Sequence, residues 1–330
     1  VTVPEDVASY PFPLPHDTYR ISANVEEAGV ERATEAGAWG STMLHVGPDH
    51  AEAIVRRRTI FGREPRRFVA APHARAASWD AMLWLLERMA RERPGEAQLE
   101  GDGARRRWRN HRLGVEAEFV VGDDASLPEH PLAFAAAQVE EDVVVLGDRG
   151  DALWLDAGLV TAASVWSLAF DAGMSFAELH RPVPGDEARR VFERAERFLL
   201  RLHPGEAWRR LNWGLQLDDE ADLSLDAFPA WGPRRAALDV VDPGREVFLR
   251  TEVQHLVKLP LTGSVLFLIG VRPLSLGRVA TVPGWAGRLA SVLETLAPGT
   301  SAYKELDTLG PLAAEWLRRQ AHAPAGAAAT

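Results

Sequence analysis

"EVFLRTEVQHLVKLPLTGSVLFLIGV", Glu246 to Val271, carries the two segments on which the fold reading turns. Its second half, Ser264–Val271, is almost wholly apolar and reads as a central strand buried on both faces. Its first half, Glu246–Leu256, mixes apolar and polar residues and reads as a neighbouring strand. A third candidate, "RRLNWGLQL" (Arg209–Leu217), lies upstream, and together they predict a three-stranded meander. Further upstream, "VVVLGD" (Val143–Asp148) and "ALWLDAGLV" (Ala152–Val160) flank an Arg-Gly-Asp turn and predict a hairpin. Between hairpin and meander, "SLAFDAGMSFAELH" reads as short helical pieces broken at Gly173. Gly185 and Asp186 then open a strongly amphipathic helix with Val191, Phe192, Ala195, Phe198, Leu199 and Leu202 on one face. Two strands, a helical crossover and three strands predict an α+β fold built on a five-stranded antiparallel sheet. That is the order of a PAS-type domain, in which the crossover covers one sheet face and encloses a pocket.

The flanks are less regular. Residues 1–75 show weak periodicity. Ser78 is a candidate cap for a helix to about Arg91, with Trp79, Met82, Leu83, Leu86 and Met89 on one face. Glu92–Arg107 reads as a loop from its Pro and Gly content. Leu132–Asp142 reads as a helix ending in three acids, Glu140, Glu141 and Asp142, which suit a cap, a cation or plain solvation. The link 218–245 reads as a surface excursion. Two helices near 284–297 and 309–320 follow, and the final "APAGAAAT" reads as frayed. The expected division is an irregular and helical region 1–130 packing on the core, a PAS-like domain 131–306, and a C-terminal helix and tail 307–330.

Composition removes many chemistries. With no cysteine there is no disulfide, thiolate nucleophile, iron–sulfur cluster or thiolate-ligated haem. A net charge of −10 argues against a nucleic-acid surface, and the basic run "GARRRWRN" (Gly103–Asn110) reads as a solvated face or loop. No apolar run reaches the ~18 residues of a membrane span. The acidic, proline-bearing start lacks a signal pattern, so the chain reads as soluble and cytoplasmic. Phosphate-binding glycine motifs, a nucleophile elbow and HExxH are all missing.

Among ten histidines, His180 stands out. In "AELHRPVPGDEARR" it sits at a corner stiffened by Pro182 and Pro184, beside the helices expected to line the pocket. Spacing alone admits two readings: an axial ligand to haem iron, or a buried histidine bonded to backbone. Arg197 and Arg210, with Arg201 and Arg209, lie around the long helix and the next strand. They suit haem propionates, and equally an ordinary charged helix face. Asn212 is an unusual mid-strand residue that suits a pocket wall. His255, near Glu252 on a strand, is a second-tier pocket candidate.

From about Pro131 to Leu306 the chain resembles the haem-dependent oxidative N-demethylase α-subunit family. The matching stretches are "HPLAFAAAQVEEDVVVL", "ALWLDAGLVTAASVW", "LHRPVPG", "ERFLLRL", "RLNWGL", "RTEVQHLVKLPLTGSVLFLIGV" and "SAYKEL", in the family's order. The first 130 residues match only loosely, through "PFPL" and the helix near 79–90. The resemblance implies a PAS-like fold binding haem b through His180 as the iron ligand. It also implies O₂-dependent demethylation of a small amine, with electrons from a separate flavin/iron–sulfur reductase. In that setting Arg197, Arg210, Asn212, Gln254 and Lys304 are expected around the cofactor, Lys304 (with Tyr303) either structurally or at a propionate. Glu252 is expected as a distal carboxylate or counter-charge for the amine, or as an organiser of strand ends. Thr262 is expected to hydrogen-bond O₂. The family's "ERQTL" reads Glu252-Val253-Gln254-His255-Leu256 here, and a second family arginine corresponds to Gly270. These departures point to a changed pocket, and so to a larger amine or a related N-oxidation. The rival from another class is a haem-based PAS sensor, or a binding protein without turnover.

Overall fold

The most apolar segment occupies the middle of the main sheet. The computed structural model describes residues 5–322; the terminal "APAGAAAT" lies outside them. The sheet has seven strands: β1 (Glu26–Glu27), β2 (Phe68–Ala70), β3 (Asp142–Asp148), β4 (Leu153–Leu159), β5 (Ala207–Leu217), β6 (Val247–Lys258) and β7 (Val265–Ser275). Their order is β1-β5-β6-β7-β3-β4-β2, with every neighbouring pair antiparallel. The five expected strands are present, and two short strands from the N-terminal region extend the two edges. The expected five-stranded sheet is therefore a seven-stranded one. The local signal at Glu26 and Phe68 is too short to read, because such strands owe their existence to a preformed edge.

Strand alternation divides the sheet into two chemically distinct faces. Trp208, Leu256, Phe267 and Val144 share one row across β5, β6, β7 and β3. Their face packs with Leu146, Leu155, Leu168, Phe176, Leu199 and Leu202 under the crossover. The crossover holds one-turn helices at Leu168–Asp171 and Phe176–Leu179, then a long helix at Asp186–Leu200. On the opposite face Val143, Val145, Val257, Leu266 and Leu268 meet a helix at Arg75–Glu92. Further along, Trp213, Leu215, Val247, Leu249 and Leu274 meet helices at Trp285–Thr295 and Leu309–His322. No helix among the described residues is long and apolar enough to cross a membrane.

Several flanking expectations are corrected. A helix at His50–Arg63 lies inside the region read as irregular; its buried positions are His50, Ile54 and Arg57, so an apolar stripe is nearly absent. Ser78 is not a cap: it lies one turn inside Arg75–Glu92, with its hydroxyl on the Ala74 carbonyl at 2.9 Å. The stretch read as a loop from Glu92 contains strands Ala97–Glu100 and Arg105–Asn110, joined by Val115–Val120 in a three-stranded sheet. Within the basic run Trp108 is buried, and Arg107 and Arg109 pair with Glu116, Glu118 and Glu100 on adjacent strands. The link 218–245 also carries a helix, Phe228–Ala237.

The helix expected at Leu132–Asp142 spans only Pro131–Ala136, and the three acids after it act as clamps. Glu140 accepts from the Gly47 amide at 3.1 Å and from His50 Nδ1 at 2.7 Å. Burial would raise its pKa, but the His50 bond, with His45 and Arg272 nearby, brings it down to about 2. Glu141 accepts from the His45 amide at 2.9 Å. Asp142 accepts from the Thr161 and Ala162 amides at 2.7 and 3.0 Å and from Arg57 Nη2 at 3.1 Å. These bonds fasten the 45–57 segment and the chain leaving β4 to the start of β3. Asp142→Ala would leave Arg57 a buried cation without its carboxylate, at a cost of about 3–5 kcal/mol. Urea unfolding is expected to show the loss, with part of it recovered in Arg57→Met/Asp142→Leu; an unchanged midpoint in the single variant would contradict the clamp.

Candidate functional site

The answer to why an imidazole stands at a stiffened corner begins one turn earlier. Ser175 and Glu178 form a reciprocal capping box that starts the helix Phe176–Leu179. His180 ends that helix, and its Nδ1 lies 2.8 Å from the Phe176 carbonyl oxygen. A carbonyl only accepts, so Nδ1 carries the hydrogen and Nε2 keeps its lone pair. Phe176 and Phe192 flank the ring at 4.2 and 4.1 Å between centroids. Burial, partly offset by the Phe176 bond and reinforced by Arg210, lowers the His180 pKa to about 4. The imidazole is thus neutral, held in one tautomer and packed against two aromatic rings. Gly185, with φ of 96°, then turns the chain into the long helix, a conformation costly for a residue with a side chain.

Across from the crossover, Arg210 pairs with Gln254 and Asn212 with Glu252 on β5 and β6. The Glu252 carboxylate accepts from Asn212 Nδ2 at 3.2 Å, Gln254 Nε2 at 2.9 Å and Arg250 Nε at 3.3 Å. Arg250, only 2 % exposed, also donates to Gln216 Oε1, to the Ala221 carbonyl and to the Ala162 carbonyl. The sequence reading missed Arg250, although the parity of 250, 252 and 254 puts all three on one face. Val165, three residues beyond Ala162, has φ of 60°, a strained value for a β-branched residue. Its amide bonds the Leu223 carbonyl at 2.9 Å.

Arg210 donates its Nε–H to Asn24 Oδ1 at 3.2 Å. Burial lowers its pKa, opposed by Tyr19, Glu252 and Tyr303. Lys304 donates to the Trp213 carbonyl at 2.7 Å and to Asn212 Oδ1 at 3.3 Å. Burial brings it down to about 8, with Glu252 opposing and Arg210 adding. Tyr303 is 46 % exposed, yet burial raises its pKa. Hydrogen bonds join Asn212, Glu252, Gln254 and Lys304 in one group. Charge interactions bring Arg210 into range of His180, Glu252 and Lys304.

Two expected residues stand apart. Thr262 lies in the β6–β7 turn, where its hydroxyl and amide both donate to Asp80 Oδ2 at 2.9 and 2.7 Å. Arg197 is exposed on the long helix, about 140° round from Phe192, the residue that touches His180. His255 is three residues from Glu252 and so faces the other side of the sheet, buried beside Arg209. Val253 and Gly270, the two departures at family arginines, are direct partners across β6 and β7 on that same back face.

A family model described as haem-dependent oxidative N-demethylase, alpha subunit-like, matches residues 36–313. The chain belongs to this family. The N-demethylase family match begins ahead of the first long helix and runs into the last one, so it takes in the elements on both faces of the sheet.

The His180 environment has a pH signature. Its folded pKa lies below the ordinary histidine value, so the unfolded chain takes up the proton first. The resulting stability is complete above about pH 6.5 and is lost as pH falls towards about 4. His45 and His255, brought to about 3 by burial and by neighbouring arginines, act with the same sign. Denaturant unfolding should weaken between pH 6.5 and 4.5, and His180→Phe should flatten the slope by about one proton, about 1.4 kcal/mol per pH unit. An identical slope in the variant would contradict the neutral assignment.

Proposed function

We propose that this chain binds haem b through His180 Nε2 in a PAS-like domain and oxidises an amine with O₂, by N-demethylation or a related N-oxidation. One observation carries the reading: the Phe176 carbonyl holds Nδ1–H, so the opposite nitrogen keeps its lone pair as a neutral donor. Histidine ligands are commonly fixed in this way, by a bond from the other ring nitrogen. Phe176, Phe192, Leu199 and Leu256 belong to one apolar cluster beside the imidazole, and Arg210, near enough to bear on the His180 pKa, is a cation that suits a propionate.

Bound haem would supply an iron centre for O₂ chemistry, which this cysteine-free chain cannot supply from its own side chains. The protein's share is holding and orienting. The Phe176 bond raises the donor strength of His180 and stops ring rotation. Asn212, Gln254 and Arg250 fix the Glu252 carboxylate in one orientation on the sheet face. A substrate ammonium bound here would have Glu252 as its counter-charge, which an amine needs in a desolvated site. Electrons come from a separate flavin/iron–sulfur reductase in this reading.

Titration of the purified chain with haemin is expected to give a Soret band at one haem per chain. His180→Ala should lose or shift the band, with recovery on added imidazole. With NADH, a reductase and candidate N-methyl amines the loaded protein should release formaldehyde, and Glu252→Gln should lower kcat/KM by about 10²-fold or more. A chain that stays colourless, or a His180→Ala spectrum identical to the parent, overturns the assignment.

A further inference from the structure

The sequence contains only two lysines, Lys258 and Lys304, among its many arginines. Lys258 is committed to an ion pair, its Nζ 2.8 Å from Asp148 Oδ2. Lys304 is different. Its two hydrogen-bond partners are neutral oxygens, the Trp213 carbonyl and Asn212 Oδ1, and no carboxylate lies within ion-pair distance among the described residues. A neutral amine has two N–H bonds and one lone pair. The two acceptors take both N–H bonds and leave the lone pair as the free corner of the nitrogen. The rings of Trp213 and Tyr19 stand 4.9 and 5.9 Å from Nζ and wall the amine in.

We propose that Lys304 is a nucleophilic amine that captures small aldehydes as an imine within the cleft it shares with Glu252. The Nζ lone pair adds to the carbonyl carbon to give a carbinolamine, which loses water to form the C=N bond; the addition of water reverses both steps. The charged and titratable groups facing Lys304 are Glu252, Arg210, Tyr19 and Tyr303, while neighbouring Glu305 is engaged with Arg235. Glu252 and the rings favour the ammonium; burial and Arg210 oppose it and prevail, bringing the pKa to about 8. At pH 7.5 the reactive neutral form is on the order of a hundredfold more abundant than in an ordinary lysine. Capture of the aldehyde released from an N-methyl group rests on the oxidation proposed above; the amine's reactivity does not.

The experiment separates the two. The full chain as purified is treated with ¹³C-formaldehyde and cyanoborohydride at pH 7.5, with Nα-acetyl-lysine amide as a competitor, and labelled peptides are read by mass spectrometry. Lys304 should label about a hundredfold faster than the competitor and Lys258 should label slowly, with the Lys304 rate levelling off just above pH 8. Lys304→Arg should abolish the fast label. Labelling no faster than the competitor, or a rate still climbing at pH 10, overturns the proposal. Neither readout requires haem or turnover, so failure of the haem assignment leaves this result interpretable, and slow labelling in a haem-loaded protein rejects the lysine alone.

Discussion

The register between β5 and β6 is the constraint on which the rest depends. It sets Arg210 opposite Gln254 and Asn212 opposite Glu252. A slip of one residue would turn this polar set away from the crossover and bring Arg209, Val253 and His255 forward. The slip is opposed from both sides. Trp208 and Leu256 pack against the crossover, with Trp208 edge-on to Phe198 at 5.1 Å. Arg209, fully buried behind, is held by Glu26 at 2.7 Å, by the Gly40 and Val30 carbonyls and by the Trp39 ring. The apolar rows and this one buried guanidinium together decide which side chains can act as a group.

The crossover supplies what the sheet cannot. Strand side chains arrive at fixed spacing, whereas the crossover brings the imidazole from outside the sheet with Nε2 left unprotonated. A one-turn helix does this because the Phe176 carbonyl, which accepts the His180 amide at 3.3 Å, has a second lone pair for Nδ1–H. Capping box, helix end and histidine form one local unit, packed against the rings of Phe176 and Phe192. The neutral state follows from the same burial that holds the ring in place, so position and protonation share one cause.

Much of this was legible in the sequence where the signal was local or periodic. The hairpin, the long amphipathic helix and the meander have their periodicity in full view, and His180 was visible from the prolines beside it. The rest was hidden for identifiable reasons. The helix His50–Arg63 buries a histidine and an arginine where a stripe would be apolar, because its partners are Glu140 and Asp142, some ninety residues away. Strand Arg105–Asn110 shows a basic run because its outer face is neutralised by acids on neighbouring strands. Thr262 looked poised for chemistry because nothing in its own neighbourhood reveals Asp80 as its acceptor. Arg250 could have been found by counting strand parity; Tyr19 reaches the cleft from an irregular segment and left no signal.

Geometry also reassigns the departures from the family pattern. Val253 and Gly270 face each other behind the sheet, so arginines at both positions would sit directly opposite one another, beside the buried Glu141 that here pairs with Arg272. Their joint absence is one change at one place: Arg272 and Glu141 fold over the bare glycine, each 3.3 Å from where its Cβ would stand. Neither position shares a face with Glu252 or Arg210. An inference from these two positions to a different substrate therefore loses its footing, since the chain between them and the Glu252 cluster is the sheet itself. On the proposed reading, the groups left to distinguish one amine from another are on the front face: the Glu252 cluster, Arg210 and the turn at Val165, where the backbone leaving Ala162 is tied to the guanidinium that holds Glu252.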